Sequence, residues 1–149
     1  VEVNPMVDFV DLAANHLAAN GALDYMVCDE AQFYTDLQIE QLARVVDEMS
    51  ADVYTFGLLT DFRGKLFPGS ARLMELANER IELQVQARCW CNEPATHNAR
   101  LADGVQIYDG DVVLIDDGQI AEVTYELRCR RHWISGEAGP VVDQLRVAG

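Results

Sequence analysis

Lysine is nearly missing from this chain. Lys65 is the only one, and 11 basic residues stand against 25 acidic ones, for a formal net charge of −14. Proteins that track a nucleic-acid backbone present a basic face, so this balance predicts no nucleic-acid partner. Any phosphate ligand has to arrive with its metal. Also missing are an apolar run near the ~20 residues that cross a bilayer and a basic-then-apolar leader, so a cytoplasmic protein with no membrane partner is expected. Cysteine is sparse, at four residues, and without a secretion signal it predicts metal binding before disulfides. What is present is a chain of 149 residues, 50% apolar, enough for one ordinary domain or a core with a small appendage.

The stretch Leu23-Asp24-Tyr25-Met26-Val27-Cys28-Asp29-Glu30-Ala31-Gln32-Phe33 is an apolar run closed by two acids, an amide and an aromatic. It reads as a buried parallel strand delivering polar groups to its C-terminal end, where open α/β sheets bind ligands. There one acid, Asp29, suits Mg²⁺, and its neighbour Glu30 suits a general base; the plain alternative is a strand end meeting solvent. Around it, Asp8 to Ala19 carries Phe9, Leu12, Ala13 and Leu17 at helical spacing and stops at Asn20-Gly21. Thr35-Asp36-Leu37-Gln38 is a capping box opening a helix whose Leu37, Leu42, Val45, Val46 and Met49 form a core stripe. Val53 to Leu59 predicts a second buried strand, so strand, helix and strand alternate. Val1 to Val3 reads as a strand already begun.

Beyond that strand, residues 60–70 mix glycine, proline, Arg63, Lys65 and two aromatics, Phe62 and Phe67, that look exposed in a mobile loop. Ser70 is expected to cap the short helix that follows. From Ile81 onward the runs are short and β-like, at 83–88, 96–101, 105–108, 112–115 and 123–127, broken by Asp-Gly turns. The expected division is residues 1–80, 81–134 and a tail, 135–149. Cys89-Trp90-Cys91 and Cys129-Arg130-Arg131-His132 form two close pairs, expected on separate strands, and match a closed tetrahedral zinc site. Unligated thiols beside a surface histidine are the alternative. Cys28 is expected to fill the core, His16 to lie at the surface, and His97 to be structural or exposed.

Asp29-Glu30-Ala31-Gln32-Phe33, Thr60 to Gly64, Phe67-Pro68-Gly69-Ser70, Cys-x-Cys, and Tyr125 four residues before Cys-Arg-Arg-His follow one another in this order over residues 1–134. In that order the chain resembles thymidine kinases of the zinc-bearing bacterial type. The resemblance implies an α/β, P-loop-kinase-like parallel core, incomplete at its N-terminus, then a zinc ribbon with a lasso loop over the nucleoside. It implies thymidine and ATP as substrates, Mg²⁺ with ATP, a structural Zn²⁺, and a homo-oligomer, dimer or tetramer. Glu30 matches the base for the thymidine 5′-hydroxyl, and Asp29, with Gln32, matches the ATP–metal side. Phe33, Leu58, Phe62, Phe67 and Ile115 match residues around the base, and Tyr125 one near the sugar. Cys89, Cys91, Cys129 and His132 match the zinc ligands.

Two departures follow. Asp116 and Asp117 stand where the family's lasso often has two glycines, and acids resist positive φ. The family's Gly-rich loop ending in Gly-Lys-Ser/Thr is not found in these residues, and only 28 residues precede Asp29. The expectation is a chain that does not phosphorylate thymidine by itself. A zinc-stapled nucleoside-binding or regulatory module is the competing reading. A DEAD-type helicase fragment also places Asp-Glu-Ala-Gln after a strand, yet it should continue with basic segments.

Overall fold

The computed structural model describes residues 2–83, 87–111, 123–137 and 139. It divides into two units, the first made of Val1–Asp61 and Lys65–Glu82, the second of Phe62–Gly64 and Leu83–Gly149.

The first unit is built on a short parallel pair. Helix α1, Phe9–Asn20, starts where the Asp8 carboxylate accepts from the N–H groups of Val10 and Asp11, and it stops at Gly21, whose φ of 79° lies in the left-handed region that glycine enters without steric cost. Strand β1, Tyr25–Cys28, and strand β2, Asp52–Thr55, pair in parallel from Tyr25↔Asp52 to Cys28↔Thr55. Helix α2, Asp36–Met49, connects them, and its Thr35–Gln38 capping box forms as the sequence predicts. Helix α3, Pro68–Leu76, completes the unit.

The core lies on one face of the strand pair. Phe9, Cys28, Ala31, Tyr34, Ile39 and Leu42 form one buried cluster, and Ala13, Val45 and Ala51 a second; Met26 and Val53 pack against both. Each large apolar side chain removed from water there contributes about 1.5–3 kcal/mol. On β1, Tyr25 and Val27 stay more than half exposed, so the strand is covered on one side only and is not the doubly buried strand its apolar run suggests. Only alternate residues of a strand face the same layer, and the helices cover the Met26–Cys28 side. Leu37, expected in the α2 stripe, is exposed, and Ile39 takes a core place instead. Strand β2 is also shorter than expected: beyond it the Leu58 N–H donates to Gln32 Oε1, Leu58 O accepts from the Ser70 hydroxyl, and Leu59 O accepts from the Phe67 N–H. Glu2 and Val3 form no strand.

The second unit is a three-stranded antiparallel sheet in the order β4-β3-β5, with β3 His97–Ala102, β4 Val105–Ile107 and β5 Val123–Arg128. Helix α4, Arg130–Ser135, follows directly. The expected run at 112–115 lies outside the described residues, as does part of 83–88. Buried arginines are unusual in so small a unit: Arg128 donates to Glu126 and to Gln106 Oε1, which satisfies a charge that burial would otherwise penalise.

Candidate active site and metal centre

The acids sit where the parallel pair ends. Glu30 follows β1 with φ 52° and ψ 34°, a left-handed conformation that a non-glycine residue holds only when its surroundings enforce it. The enforcement is visible on both sides. Asp29 Oδ1 accepts from the Glu30 N–H at 2.9 Å, and the Ala31 N–H donates to Phe56 O at 2.9 Å. Gln32, only 2% exposed, donates through Nε2 to Glu30 Oε2 at 2.5 Å and accepts from the Leu58 N–H at 3.1 Å. The Gln32 amide therefore holds the Glu30 carboxylate in place and ties it to the loop after β2. Asp29 itself is exposed at the strand edge and offers the hard carboxylate oxygen that Mg²⁺ takes.

Aromatic groups stand beside these acids in the same unit. The Phe33 and Phe67 rings meet edge to face at 5.5 Å, a favoured geometry. Phe67 is buried and not exposed as expected, because that contact and the bond from its N–H to Leu59 O draw it inward. Helix α3 has Phe67 as its N-terminal boundary and Pro68 in its first turn. Proline presets the helical φ there, so Ser70 is not the cap; its hydroxyl donates to Leu58 O at 2.6 Å. Leu58 is thus held through both its N–H and its carbonyl, while its side chain stays half exposed. Residues 60, 61, 65 and 66 are closed on one another by local bonds. Thr60 bridges to Leu66, the Asp61 N–H donates to Lys65 O, and Asp61 Oδ1 accepts from the Lys65 N–H.

An apolar cavity of about 680 Å³ in the same unit is lined by Phe9, Met26, Cys28, Asp29, Phe33 and Tyr34, among others. Burial pushes the Cys28 thiol up, with partial relief from Tyr34. Burial and the neighbouring thiol raise the Tyr34 phenol to about 12. Both groups stay neutral, as core residues should.

In the second unit Phe62 is also buried, against expectation, because the Arg100 guanidinium lies 3.8 Å over its ring. Tyr125 on β5 pairs across the strands with Arg100 and accepts from Arg100 Nε at 2.8 Å. Ile115, Asp116 and Asp117 lie outside the described residues.

Cys89, Cys91, Cys129 and His132 converge, with one donor atom from each lying within 4.8 Å of all the others. Cys89 Sγ is 3.3 Å and Cys129 Sγ 3.5 Å from His132 Nδ1, and the Cys91 and Cys129 sulfurs are 3.9 Å apart. Bond lengths to zinc of 2.3 Å for sulfur and about 2.0 Å for nitrogen give tetrahedral edges of roughly 3.8 and 3.5 Å. The donor set therefore fits zinc in chemistry and in size. The pairs do not both arrive on strands: Cys129 is the residue before α4 and His132 lies in that helix. A spacing of three residues brings two side chains onto one helical face, which a strand would not do. Cys89 and Cys91 sit at a turn closed by the Arg88–Pro94 bridge. Trp90 between them stacks on the His132 ring at 4.0 Å and 15°. Burial pushes the Cys89 thiol up, but hydrogen bonds with the Cys129 and Cys91 backbone and with the His132 ring outweigh it and bring the thiol down to about 6. His97 is structural: half-buried, 5.0 Å from the Trp133 ring, and held below its usual range by burial and then by Arg130.

Arg100 and Trp133 are the participants that sequence reading missed. Trp133 Nε1 lies 3.1 Å from Phe62 O and 3.0 Å from Asn98 O, donating to both. Neither residue stands in a spacing pattern, and a lone arginine in a β-like run reads as solvated. Among the described residues, no helix is long and apolar enough to cross a membrane.

Known proteins match this chain in sequence. The thymidine kinase family model matches residues 4–133. The chain is 50% identical over 142 residues to a thymidine kinase of Cutibacterium acnes, covering 95% of this chain and 66% of that protein. It is 51% identical over 134 residues to the thymidine kinase of Streptomyces coelicolor, covering 89% and 62%. With the thymidine kinase of enterobacteria phage T4 the identity is 38% over 135 residues, covering 89% and 66%. The chain spans 62–66% of the length of these relatives. By family model and by identity, the chain belongs to the thymidine kinase family.

Proposed function

We propose that this chain carries the nucleoside-binding and proton-accepting part of a cytoplasmic thymidine kinase, which transfers the γ-phosphoryl group of ATP to the thymidine 5′-hydroxyl. The observation that carries this reading is Glu30, a non-glycine residue kept at positive φ and held at its carboxylate by Gln32. A strained, externally braced acid at the end of a parallel strand is what a general base requires. Glu30 accepts the hydroxyl proton. Asp29 would hold Mg²⁺, which when bound neutralises charge on the transferring phosphate. Phe33, Leu58 and Phe67 supply apolar walls suited to a methylated pyrimidine; the resemblance gives Phe62 and Tyr125 nucleoside contacts as well. Cys89, Cys91, Cys129 and His132 would hold one structural Zn²⁺, and the same reading implies a P-loop-kinase-like core and a homo-oligomer.

The test is a radiolabelled-thymidine assay on the full-length gene product. Glu30→Gln keeps shape and removes the acceptor, so kcat falls by about 10²–10⁴-fold with little change in thymidine binding. A loss of less than roughly tenfold would remove Glu30 from the role of base.

A further inference from the structure

Arg100 is a heavily committed charge in the second unit. It lies on the central strand β3, is 1% exposed, and faces Tyr125 directly across the ladder. Its guanidinium carbon is 3.8 Å from the Phe62 ring centroid and 5.4 Å from that of Tyr125. Nε donates to Tyr125 Oη at 2.8 Å, and Nη1 donates to Asp111 O at 2.5 Å. One planar cation thus stacks on a ring, fixes a phenol and ties down a backbone carbonyl.

Stability alone does not call for this residue. A buried charge costs desolvation, and an apolar side chain of similar volume between two rings would fill the space at less cost. What an arginine adds is direction, because its fork donates along set lines while its face stacks, which a lysine cannot do. Trp133 completes the hold on Phe62 from the backbone side, with Nε1 donating to Phe62 O, and its ring lies against Gly64, where a Cβ would come within 2.8 Å of it. At Tyr125 the consequence is chemical. Because the phenol oxygen accepts from Arg100 Nε, its own O–H proton is turned away from the arginine, and the side chain is more than half exposed. Tyr125 is presented as a donor.

We infer that Arg100 is a positioning residue for nucleoside recognition, fixing the Phe62 ring as a wall and orienting the Tyr125 hydroxyl to donate to an oxygen of the sugar. This rests on the thymidine kinase reading above. Arg100 acts through Phe62 and Tyr125 and not on the reacting atoms.

The experiment uses the full-length gene product and steady-state kinetics with zinc analysis and thermal melts on each variant. In Arg100→Met the thymidine KM rises by about tenfold to a hundredfold, while kcat stays within about threefold and the ATP KM within about twofold. Zinc stays at one equivalent. Arg100→Lys keeps the charge and does not rescue KM. Tyr125→Phe gives a smaller rise, and Arg100→Met with Tyr125→Phe is no worse than Arg100→Met alone, since the two losses remove one coupled contact. Should Arg100→Met lose zinc or melt early, Arg100→Lys and Tyr125→Phe carry the same comparison. A thymidine KM within about threefold of the unmodified protein, rescue by lysine, or additive losses would overturn the inference. An unmodified protein that binds no thymidine would instead overturn the functional reading on which it stands.

Discussion

Gly69→Ala reverses the usual sign of a helix substitution. Gly69 lies in the first turn of α3, where alanine is ordinarily favoured by about 0.5–1 kcal/mol. Its φ is not positive, so backbone freedom is not why glycine stands here. The reason is contact. A Cβ at this position would lie 2.5 Å from Ala31 O, 2.8 Å from Tyr34 O and 2.9 Å from Gln32 O. Carbon–oxygen contacts settle near 3.3 Å or more, so the helix start and the turn at Ala31–Phe33 must separate by roughly 0.4–0.8 Å. All three obstacles are backbone, with no rotamer to yield. Overpacking of this kind costs typically 1–3 kcal/mol, and three simultaneous contacts put it near the top, for a net loss of about 2 kcal/mol after the propensity gain. In a unit of roughly 60–100 residues that lowers Tm by about 8–16 °C. The same displacement moves the Gln32 amide that braces Glu30, so thymidine turnover by the full-length gene product is expected to fall as well. Melting followed by circular dichroism, with the assay run below the transition, tests both. An unchanged or raised Tm would refute the packing argument.

Purified without chelator, the protein carries about one zinc per chain, and Cys129→Ala or His132→Ala releases it and lowers the melting temperature of the second unit, because a structural metal supplies folding free energy directly; elemental analysis showing unchanged metal in both variants would dismiss the site. The 149 residues contain no Gly-rich loop ending in Gly-Lys-Ser/Thr, the element that wraps the β- and γ-phosphates. Assayed alone they are expected to phosphorylate no thymidine above background, while a form extended by such a loop does; robust turnover by the 149 residues alone would mean that their phosphates bind elsewhere.

The sequence by itself determined what is local. The Thr35–Gln38 box and Gly21 mark helix ends through bonds made within four residues, and they appear where the pattern puts them. The two cysteine pairs were legible because thiols and an imidazole at short spacing have few other uses, although the helix that brings Cys129 and His132 together was not. Adjacency of Asp29 and Glu30 suggested a site, but not the positive φ of Glu30 or the Gln32 amide that holds it. Tertiary structure alone decided the long-range matters. Phe62 and Phe67 look exposed in sequence and are buried by Arg100 and Phe33, each more than 30 positions away in the chain. Gly69 is preferred over alanine because three carbonyls from another segment close on it, and Arg100 acquires its role from two rings that no spacing rule connects. Such contacts depend on which surfaces meet after the chain has folded, and periodicity carries no record of that.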